Sequence, residues 1–364
     1  MTEQATTPAP TPDPTIDPSA VEAFAFQVGA DLGAALGVLL AHLGDQLGLW
    51  RELSRSGQTT PDQLAVATGT NERMIREWLS AQAAAGYVTY DPATSQFELP
   101  AEHAMVLAEE QSPAFLGGGF QMVTGVYQRP HDALAALRTG TGLGWADHHH
   151  DMFEGVERTF RPTYEAALTT EWIPSLDGVE QRLAAGGRVA DVGCGHGAST
   201  VLMAEAYPDA TVVGCDKHPE SIQVARGRAA ERGLGDRITF DVASATELAG
   251  DGYDLITYLD CLHDMADPLG AVRHAATILA PGGSVMVVEP FAADRLEDNL
   301  NPVGRLYYSG STLICTPSSL AEDGAALGAQ AGEARLRSIF DHASYSSFRR
   351  VAETPLHIVY EARL

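Results

Sequence analysis

The chain has 364 residues, 45% of them hydrophobic, and its 48 Asp and Glu against 23 Lys and Arg give a formal net charge of −25. This length predicts two or three domains with ample apolar material for their cores. Because so acidic a chain repels phosphate backbones and anionic lipid surfaces, the composition argues against nucleic acid and membrane as partners.

The N-terminal segment 1–18 is expected to be a loose extended tail, because it carries five prolines among Thr, Ala and Asp. It does not resemble a signal peptide, and no run of about 18 apolar residues suggests a membrane span. The four cysteines form no Cys-x-x-Cys pair, which indicates reduced thiols. We therefore expect a cytoplasmic protein.

Residues 19–113 are predicted to form a mainly helical winged-helix domain. A short helix should begin at Thr60–Pro61 and end at Gly69, and Asn71 can cap a further helix that ends near Gly86. Two short strands then flank the turn signal Asp91–Pro92. Helix-turn-helix followed by a hairpin is the pattern of a winged helix.

A winged helix can bind DNA, but this one lacks the charge for it. Residues 51–100 contain four Arg and six acids, a net charge of −2. Without a basic face there is no electrostatic basis for DNA affinity. We therefore expect the domain to serve dimerisation or to act as a scaffold.

Residues 114–185 are predicted to be a helical connector with a glycine-rich start, and their aromatic side chains could close over a pocket. The aromatic residues singled out here are Phe120, Tyr127, Trp145, Phe153, Phe160, Tyr164 and Trp172. Residues 148–150 are three consecutive histidines. Adjacent side chains on a helix point about 100° apart and cannot all converge on one ion, so no metal site is expected.

From 186 to 364 strands and helices alternate, which predicts an α/β fold: a Rossmann-like, doubly wound and mainly parallel sheet. The first strand, Arg188–Val192, runs into the glycine loop that holds Gly193 and Gly195. The second, Thr211–Cys215, ends at Asp216, whose carboxylate suits the paired hydroxyls of a ribose. Ligands of such sheets bind at the carboxyl ends of the strands.

The glycine loop also fits a dinucleotide fingerprint, so a nicotinamide enzyme is an alternative. Asp191, two residues before the first glycine, favours a different ligand. A carboxylate there repels a pyrophosphate but attracts an ammonium group. S-adenosylmethionine has a ribose and an ammonium group and no phosphate, so Asp191 and Asp216 together fit it better than NAD.

These motifs resemble those of class I S-adenosylmethionine-dependent methyltransferases. The stretch 191–197 resembles their first motif, and 253–256 followed by 279–289 resembles their fourth strand, helix and fifth strand. The whole chain resembles bacterial members with an N-terminal winged helix and, more distantly, plant O-methyltransferases that dimerise through such a domain. The resemblance implies a seven-stranded methyltransferase sheet, S-adenosylmethionine as cofactor, a homodimer and a small-molecule acceptor.

The resemblance also implies roles for particular residues. Gly193 and Gly195 would pass the methionine portion of the cofactor, Asp216 with the following Lys217 would hold the ribose end, and Asp260 would lie beside the cofactor. Where many relatives have an acid for the adenine amino group, this chain has Ser244–Ala245. Adenine contact would then come from a hydroxyl or a backbone group.

His263 and Glu289 are the candidate catalytic pair. His263 follows the fourth strand in a His-Asp stretch similar to the one that supplies the general base of the plant enzymes, and Glu289 resembles the acid that orients it. A neutral imidazole can take the proton of a hydroxyl as its oxygen attacks the methyl group. The alternative for His263 is a structural role, as a cap of the next helix or a partner of a backbone carbonyl. The alternative for the whole chain is a methyltransferase fold that keeps the cofactor but serves another reaction or ligand sensing. The acceptor pocket is expected to involve the segment after Glu289, through these residues: Arg305, Tyr307, Tyr308, Ser309, Thr312 and Cys315.

Overall fold

The computed structural model describes residues 16–364. The chain divides into two compact units, and the boundary in the sequence lies between Ala104 and Met105. Residues 1–15 of the predicted tail therefore lie outside the described part of the chain. The division falls before the predicted boundary at 113, and the predicted connector 114–185 shares its unit with the sheet.

The first unit holds the winged helix. Its elements in chain order are α1 (Pro18–Gln46), α2 (Leu49–Ser56), α3 (Pro61–Thr68), α4 (Glu72–Ala84), β1 (Thr89–Asp91) and β2 (Gln96–Glu98), and α5 (Ala101–Leu107) follows across the boundary. The predicted start signals are confirmed. Thr60 and Gln63 form a reciprocal capping box, and Asn71 accepts the backbone N–H of Met74 at 3.2 Å. The two strands pair antiparallel, as the turn signal predicted.

Helix α1 differs from expectation. It is long and apolar enough to cross a membrane by length and composition, with a mean hydropathy of 1.7 over an 18-residue window of which none is buried. The expectation that no such segment exists was wrong, because Ala, Val, Leu and Phe raise the mean hydropathy of the helix although Gly and a few polar residues interrupt the apolar run. Only its C-terminal end packs inward, where the indoles of Trp50 and Trp78 donate to Ala41 and Leu40.

The second unit is a seven-stranded sheet with helices on both faces. The strands are β3 (Arg188–Val192), β4 (Thr211–Asp216), β5 (Ile238–Val242), β6 (Tyr253–Leu259), β7 (Leu279–Pro290), β8 (Ser347–Glu353) and β9 (His357–Arg363). Their order is β5-β4-β3-β6-β7-β9-β8, parallel except that β9 runs antiparallel to both of its neighbours. This confirms the predicted doubly wound sheet and its closing hairpin. The chain order reverses between β3 and β6, so ligand binding is expected at their carboxyl ends.

Helices cover the sheet and form two apolar cores, one on each face. The helices of this unit are α6 (Gly117–Tyr127), α7 (Pro130–Thr139), α8 (His150–Ala167), α9 (Val179–Ala184), α10 (Ala198–Ala206), α11 (Pro219–Glu231), α12 (Pro268–Ile278), α13 (Pro302–Gly310), α14 (Thr316–Leu320) and α15 (Glu333–His342). Those that contribute side chains to the two cores are α8, α9, α10, α11, α12 and α15. Helices α6 and α8 approach closely because glycines face the partner backbone. A Cβ on Gly155 would lie 2.2 Å from the nitrogen of Met122. This packing fixes α8, which forms one wall of the site.

Candidate active site

A cavity of about 310 Å³ lies where the carboxyl ends of β3, β4, β5 and β6 meet. The loop that follows each of these strands lines it, as the switch-point rule predicts. The connector covers it with four of the seven aromatic residues singled out from the sequence: Trp145, Phe153, Phe160 and Tyr164. A largely apolar cavity with a few charged groups is the usual form of a small-molecule site.

The glycine loop after β3 needs its glycines. Gly193 has a φ of +72°, and a Cβ there would lie 2.7 Å from the sulfur of Cys261. Gly195 has a φ of +51°, and its N–H donates to Asp216 at 2.9 Å. Both glycines line the cavity. The loop therefore exposes backbone to a ligand at the place the sequence predicted.

Asp191 does not lie where its predicted role requires. Its side chain is 1% exposed and is absent from the cavity wall. Its carboxylate accepts hydrogen bonds from the hydroxyls of Ser199 (2.7 Å), Thr200 (2.6 Å) and Thr257 (2.7 Å). Burial raises the pKa of Asp191, although the three donors oppose this shift. Through these hydrogen bonds Asp191 ties β3 to α10 and β6. Its contact with an ammonium group stays a prediction.

The two residues predicted to hold the ribose, Asp216 and Lys217, line the cavity. Asp216 accepts the backbone N–H groups of Gly195 (2.9 Å) and His218 (2.8 Å), one on each oxygen. Because a carboxylate has about four acceptor sites, two remain for ligand hydroxyls. Lys217 also faces the cavity and pairs with Glu322.

The predicted adenine contacts, Ser244 and Ala245, lie in the cavity wall after β5. The hydroxyl of Ser244 donates to Glu247 at 2.7 Å. With its proton used in this way, the hydroxyl can still accept a hydrogen bond from a ligand N–H. The geometry is thus compatible with the expected substitute for the missing acid.

Asp260 follows β6 in a left-handed conformation, with a φ of +52°. Its Oδ2 accepts the hydroxyl of Tyr164 at 2.6 Å and lies 3.3 Å from Nε2 of His357. Its Oδ1 is buried without a hydrogen-bond partner, in a residue that lines the cavity. A strained backbone together with a buried, unsatisfied carboxylate oxygen is typical of a site that awaits a ligand.

The predicted catalytic pair is brought together. Nδ1 of His263 lies 2.5 Å from Oε2 of Glu289, and Oε1 accepts the backbone N–H of His263 at 3.2 Å. Burial alone would lower the pKa of His263, but the Glu289 carboxylate, with help from Cys315, outweighs it and holds that pKa well above the ordinary value. The ring is 4% exposed and does not line the cavity.

Several polar residues of the wall were missed by sequence reasoning, among them Asp264, Ser318 and Glu322. Burial raises the pKa of Asp264 to about 7, and its position beside His263 was the available signal. The other two belong to the segment after Glu289, but none of the six residues predicted there lines the cavity. The reason is that the segment continues into α14, and this helix and the turn after it face the cavity instead.

The histidine triplet separates into two environments. His148 is buried and neither of its ring nitrogens has a hydrogen-bond partner, and burial lowers its pKa. Atoms of His149, His150 and Asp151 that could ligate a metal lie within 4.8 Å of one another, the one such group found among residues 16–364. Two of the three histidines thus converge, which the sequence argument did not foresee. None of these residues lines the cavity.

Comparisons with known proteins find a matching domain family in each of two parts of the chain. Residues 183–342 match the methyltransferase domain family, and residues 34–109 match the Rv2258c-like winged helix-turn-helix domain. Methyltransferase GfsG of Streptomyces halstedii is 35% identical over 176 residues, 47% of this chain and 59% of that protein. The 27-O-demethylrifamycin SV methyltransferase of Amycolatopsis mediterranei is 29% identical over 170 residues, 44% of this chain and 60% of that protein. The chain thus spans about three fifths of the length of these curated relatives.

Solved structures agree over nearly the whole chain. The mitomycin 7-O-methyltransferase MmcR has a TM-score of 0.70 at 19% identity, covering 95% of this chain and 99% of that one. An O-methyltransferase family protein from Burkholderia thailandensis has a TM-score of 0.67 at 18% identity, covering 96% and 98%. At these identities the likeness establishes the fold. Residues 183–342 are thus a methyltransferase domain and residues 34–109 an Rv2258c-like winged helix-turn-helix domain, in a chain with the fold of O-methyltransferases.

Proposed function

We propose that the chain binds S-adenosylmethionine in the cavity and transfers its methyl group to a hydroxyl group of a small organic acceptor. The observation that carries this proposal is Asp260, a residue that lines the cavity at the β3–β6 switch point and whose Oδ1 is buried without a hydrogen-bond partner. An ammonium group satisfies such an oxygen, and a phosphate does not. The name of the Amycolatopsis relative, an O-methyltransferase, supports oxygen as the acceptor atom.

The residues present fit this cofactor. Asp260 would hold its ammonium group, Gly193 and Gly195 would let the methionine portion approach the backbone, and Asp216 would accept from the ribose hydroxyls. Ser244 would accept from the adenine amino group. This assignment moves the ammonium contact from Asp191, which is enclosed by hydroxyls, to Asp260.

When bound, the cofactor supplies an electrophilic methyl group on a positively charged sulfur. The protein must then place the acceptor and keep water away. Trp145, Phe153 and Phe160 would exclude water from the acceptor side, since all three line the cavity. Tyr164, whose pKa burial raises well above 10, stays protonated and keeps Asp260 in place through its hydroxyl.

His263 would act as the general base, oriented by Glu289. A base needs a free nitrogen, and the high pKa of the paired imidazole means that it must first lose a proton to solvent or to a neighbour. The pairing makes it a stronger base once neutral. It also predicts that the reaction is fastest above neutral pH.

A second candidate function is favoured by the burial of His263 away from the cavity wall. In that case the fold binds the cofactor but catalyses a different reaction or senses a ligand, and the His263–Glu289 pair is structural. The two functions differ in whether S-adenosylhomocysteine is produced.

Calorimetry followed by a labelled-methyl assay tests the proposal. The intact protein should bind S-adenosylmethionine and S-adenosylhomocysteine but not NADH, and label should move to a metabolite when acceptor mixtures are supplied. Binding without any formation of S-adenosylhomocysteine supports the second function. Binding of NADH instead of both sulfur nucleosides refutes both functions.

We also propose that the protein is a cytoplasmic homodimer that uses α1. Several large apolar side chains of this helix are exposed, among them Phe24, Phe26, Leu32 and Leu36. The glycines 29, 33 and 37 recur on one stripe with nothing within 4 Å of an added Cβ, which leaves room for close approach of a second helix. A contiguous apolar surface of this kind is normally covered by a partner. A second copy of the chain offers the same surface.

A further inference from the structure

The cavity wall is rich in carboxylates. Its acidic residues are Glu157, Asp216, Asp260, Asp264, Asp267 and Glu322. Among residues 16–364, Lys217 is the only Lys or Arg that lines the cavity, and it pairs with Glu322. Glu157 is likewise compensated, by Arg161 at 3.0 Å and Arg228 at 2.7 Å.

Four carboxylates on the wall, those of Asp216, Asp260, Asp264 and Asp267, have no Lys or Arg in an ion pair with them in the described chain. A bound cofactor of net charge +1 does not balance them. Repulsion between like charges is strong in a partly desolvated cavity. An acceptor that brings a further negative charge is therefore disfavoured.

A hydroxyl on the same wall awaits a partner. Ser318 is 2% exposed, lines the cavity from α14, and its Oγ has no hydrogen-bond partner. The adjacent Ser319 is also buried, but its hydroxyl donates to the carbonyl of Met265 at 2.9 Å and accepts from the N–H of Ala326 at 3.0 Å. The second serine fixes α14 to the turn that carries Asp264, and the first is left for a ligand.

We propose that Ser318 and Asp264 form the polar end of an acceptor subsite that takes uncharged or cationic hydroxyl compounds and rejects carboxylates and phosphates. This inference rests on the proposed methyl transfer, since it assigns the acceptor side of the same cavity. Ser318 selects by a hydrogen bond to a neutral polar group of the acceptor. Asp264 selects by charge.

The experiment uses the intact protein saturated with S-adenosylhomocysteine and three probes on one ring: 3,4-dihydroxybenzyl alcohol (neutral), dopamine (cationic) and 3,4-dihydroxybenzoate (anionic). Calorimetry at a mildly alkaline pH measures their affinities. The neutral and cationic probes should bind at least about tenfold more tightly than the anionic one. Ser318→Ala should weaken the neutral probe by about tenfold and leave the affinity for S-adenosylhomocysteine unchanged.

Ser319→Ala is the matched control, because it removes a hydroxyl whose hydrogen bonds are made within the protein. It should lower the thermal midpoint and leave the selectivity among the three probes unchanged. Asp264→Asn should narrow the difference in affinity between the anionic and neutral probes. The proposal is overturned if the anionic probe binds as well as the others, if no probe binds, or if Ser318→Ala weakens S-adenosylhomocysteine instead. Failure of the wild type to bind S-adenosylhomocysteine refutes the proposed function itself.

Discussion

Nδ1 of His263 lies 2.5 Å from Oε2 of Glu289, and both side chains are buried at the junction of β6 and β7. Both side chains are almost fully shielded from solvent. Such a pair behaves as a unit, so the ionisation of one residue depends on the other.

The first prediction concerns the ionisation of this pair. His263 should titrate well above its ordinary pKa of about 6.5, because Glu289 stabilises the imidazolium more than burial destabilises it. In Glu289→Gln the upward effect of the carboxylate is lost and burial is opposed by Cys315, so the pKa of His263 should fall markedly. NMR titration of the imidazole signals measures both, and the signal lost in His263→Gln identifies the residue.

Glu289→Asp, which keeps the carboxylate, should retain part of the upward shift in pKa. The pair also links stability to pH. Since the folded pKa of His263 exceeds its unfolded value, its contribution to the free energy of unfolding is fully present below about pH 6.5 and is lost as pH rises through the folded pKa. An unchanged titration in Glu289→Gln would contradict this account.

The second prediction separates catalysis from cofactor binding. His263→Gln should lower methyl transfer by about 10²–10⁴-fold, the usual contribution of a general base. Its affinity for S-adenosylhomocysteine should stay unchanged, because the ring does not line the cavity. Single-turnover rates and calorimetry on the same preparation make the comparison. Equal loss in both measurements would assign His263 to structure.

Much of the fold could be predicted from the sequence because local signals and burial agree there. The strand Arg188–Val192, the glycine turn and the strand that ends at Asp216 lie where the pattern placed them. Caps such as Asn71 were readable because their hydrogen bonds are local. The pairing of His263 with Glu289 was accessible because parallel strands bring their carboxyl ends together.

The direction of a side chain was harder to predict. Asp191 and Asp260 both lie near the end of a neighbouring strand, but only Asp260 reaches the cavity. The hydroxyls that enclose Asp191 come from α10 and β6, so their convergence depends on tertiary packing. Ser318 was missed for the same reason, since nothing in its local sequence distinguishes it from Ser319.

The third prediction uses this contrast. Asp260→Asn should weaken S-adenosylhomocysteine binding by about ten- to a hundredfold, because a charge-assisted hydrogen bond to the ammonium group is lost, with little change in thermal midpoint. Asp191→Ala should instead lower the free energy of unfolding by about 2–4 kcal/mol, since three buried hydroxyls lose their acceptor. Chemical denaturation and calorimetry on both variants distinguish the roles. The reverse pattern would restore Asp191 as the ligand contact.

The fourth prediction concerns α1. Replacing Leu32 and Leu36, which are 64% and 68% exposed, with Glu should convert a dimer to a monomer. The reason is that two carboxylates would be buried in each apolar half of the interface. Light scattering after gel filtration measures the mass. Replacing exposed Val66 of α3 with Glu is the matched control and should leave a dimer.

A wild-type monomer would refute the dimer. If that monomer sediments with neutral lipid vesicles, and the double variant does not, the apolar surface of α1 serves a membrane instead. If the wild type is a monomer and neither protein sediments with the vesicles, both a second copy of the chain and a membrane are excluded as partners of α1. The acidic composition of the chain makes the vesicle charge important, and neutral lipid removes that repulsion from the comparison.

The fifth prediction follows from Asp264, whose pKa burial raises to about 7, with opposing effects from His263 and Lys217 and further upward effects from Glu289 and Asp216. Below this pH the group is neutral, and above it the group adds a negative charge to the cavity wall. S-adenosylmethionine carries a positive sulfur that S-adenosylhomocysteine lacks. The ratio of their affinities should therefore shift toward S-adenosylmethionine as pH rises through about 7.

Asp264→Asn should flatten this pH dependence of the affinity ratio. Asp267→Asn, at a residue of the same wall that caps α12, should preserve it. A ratio that stays constant with pH in the wild type would place Asp264 too far from the sulfur to influence the methyl group.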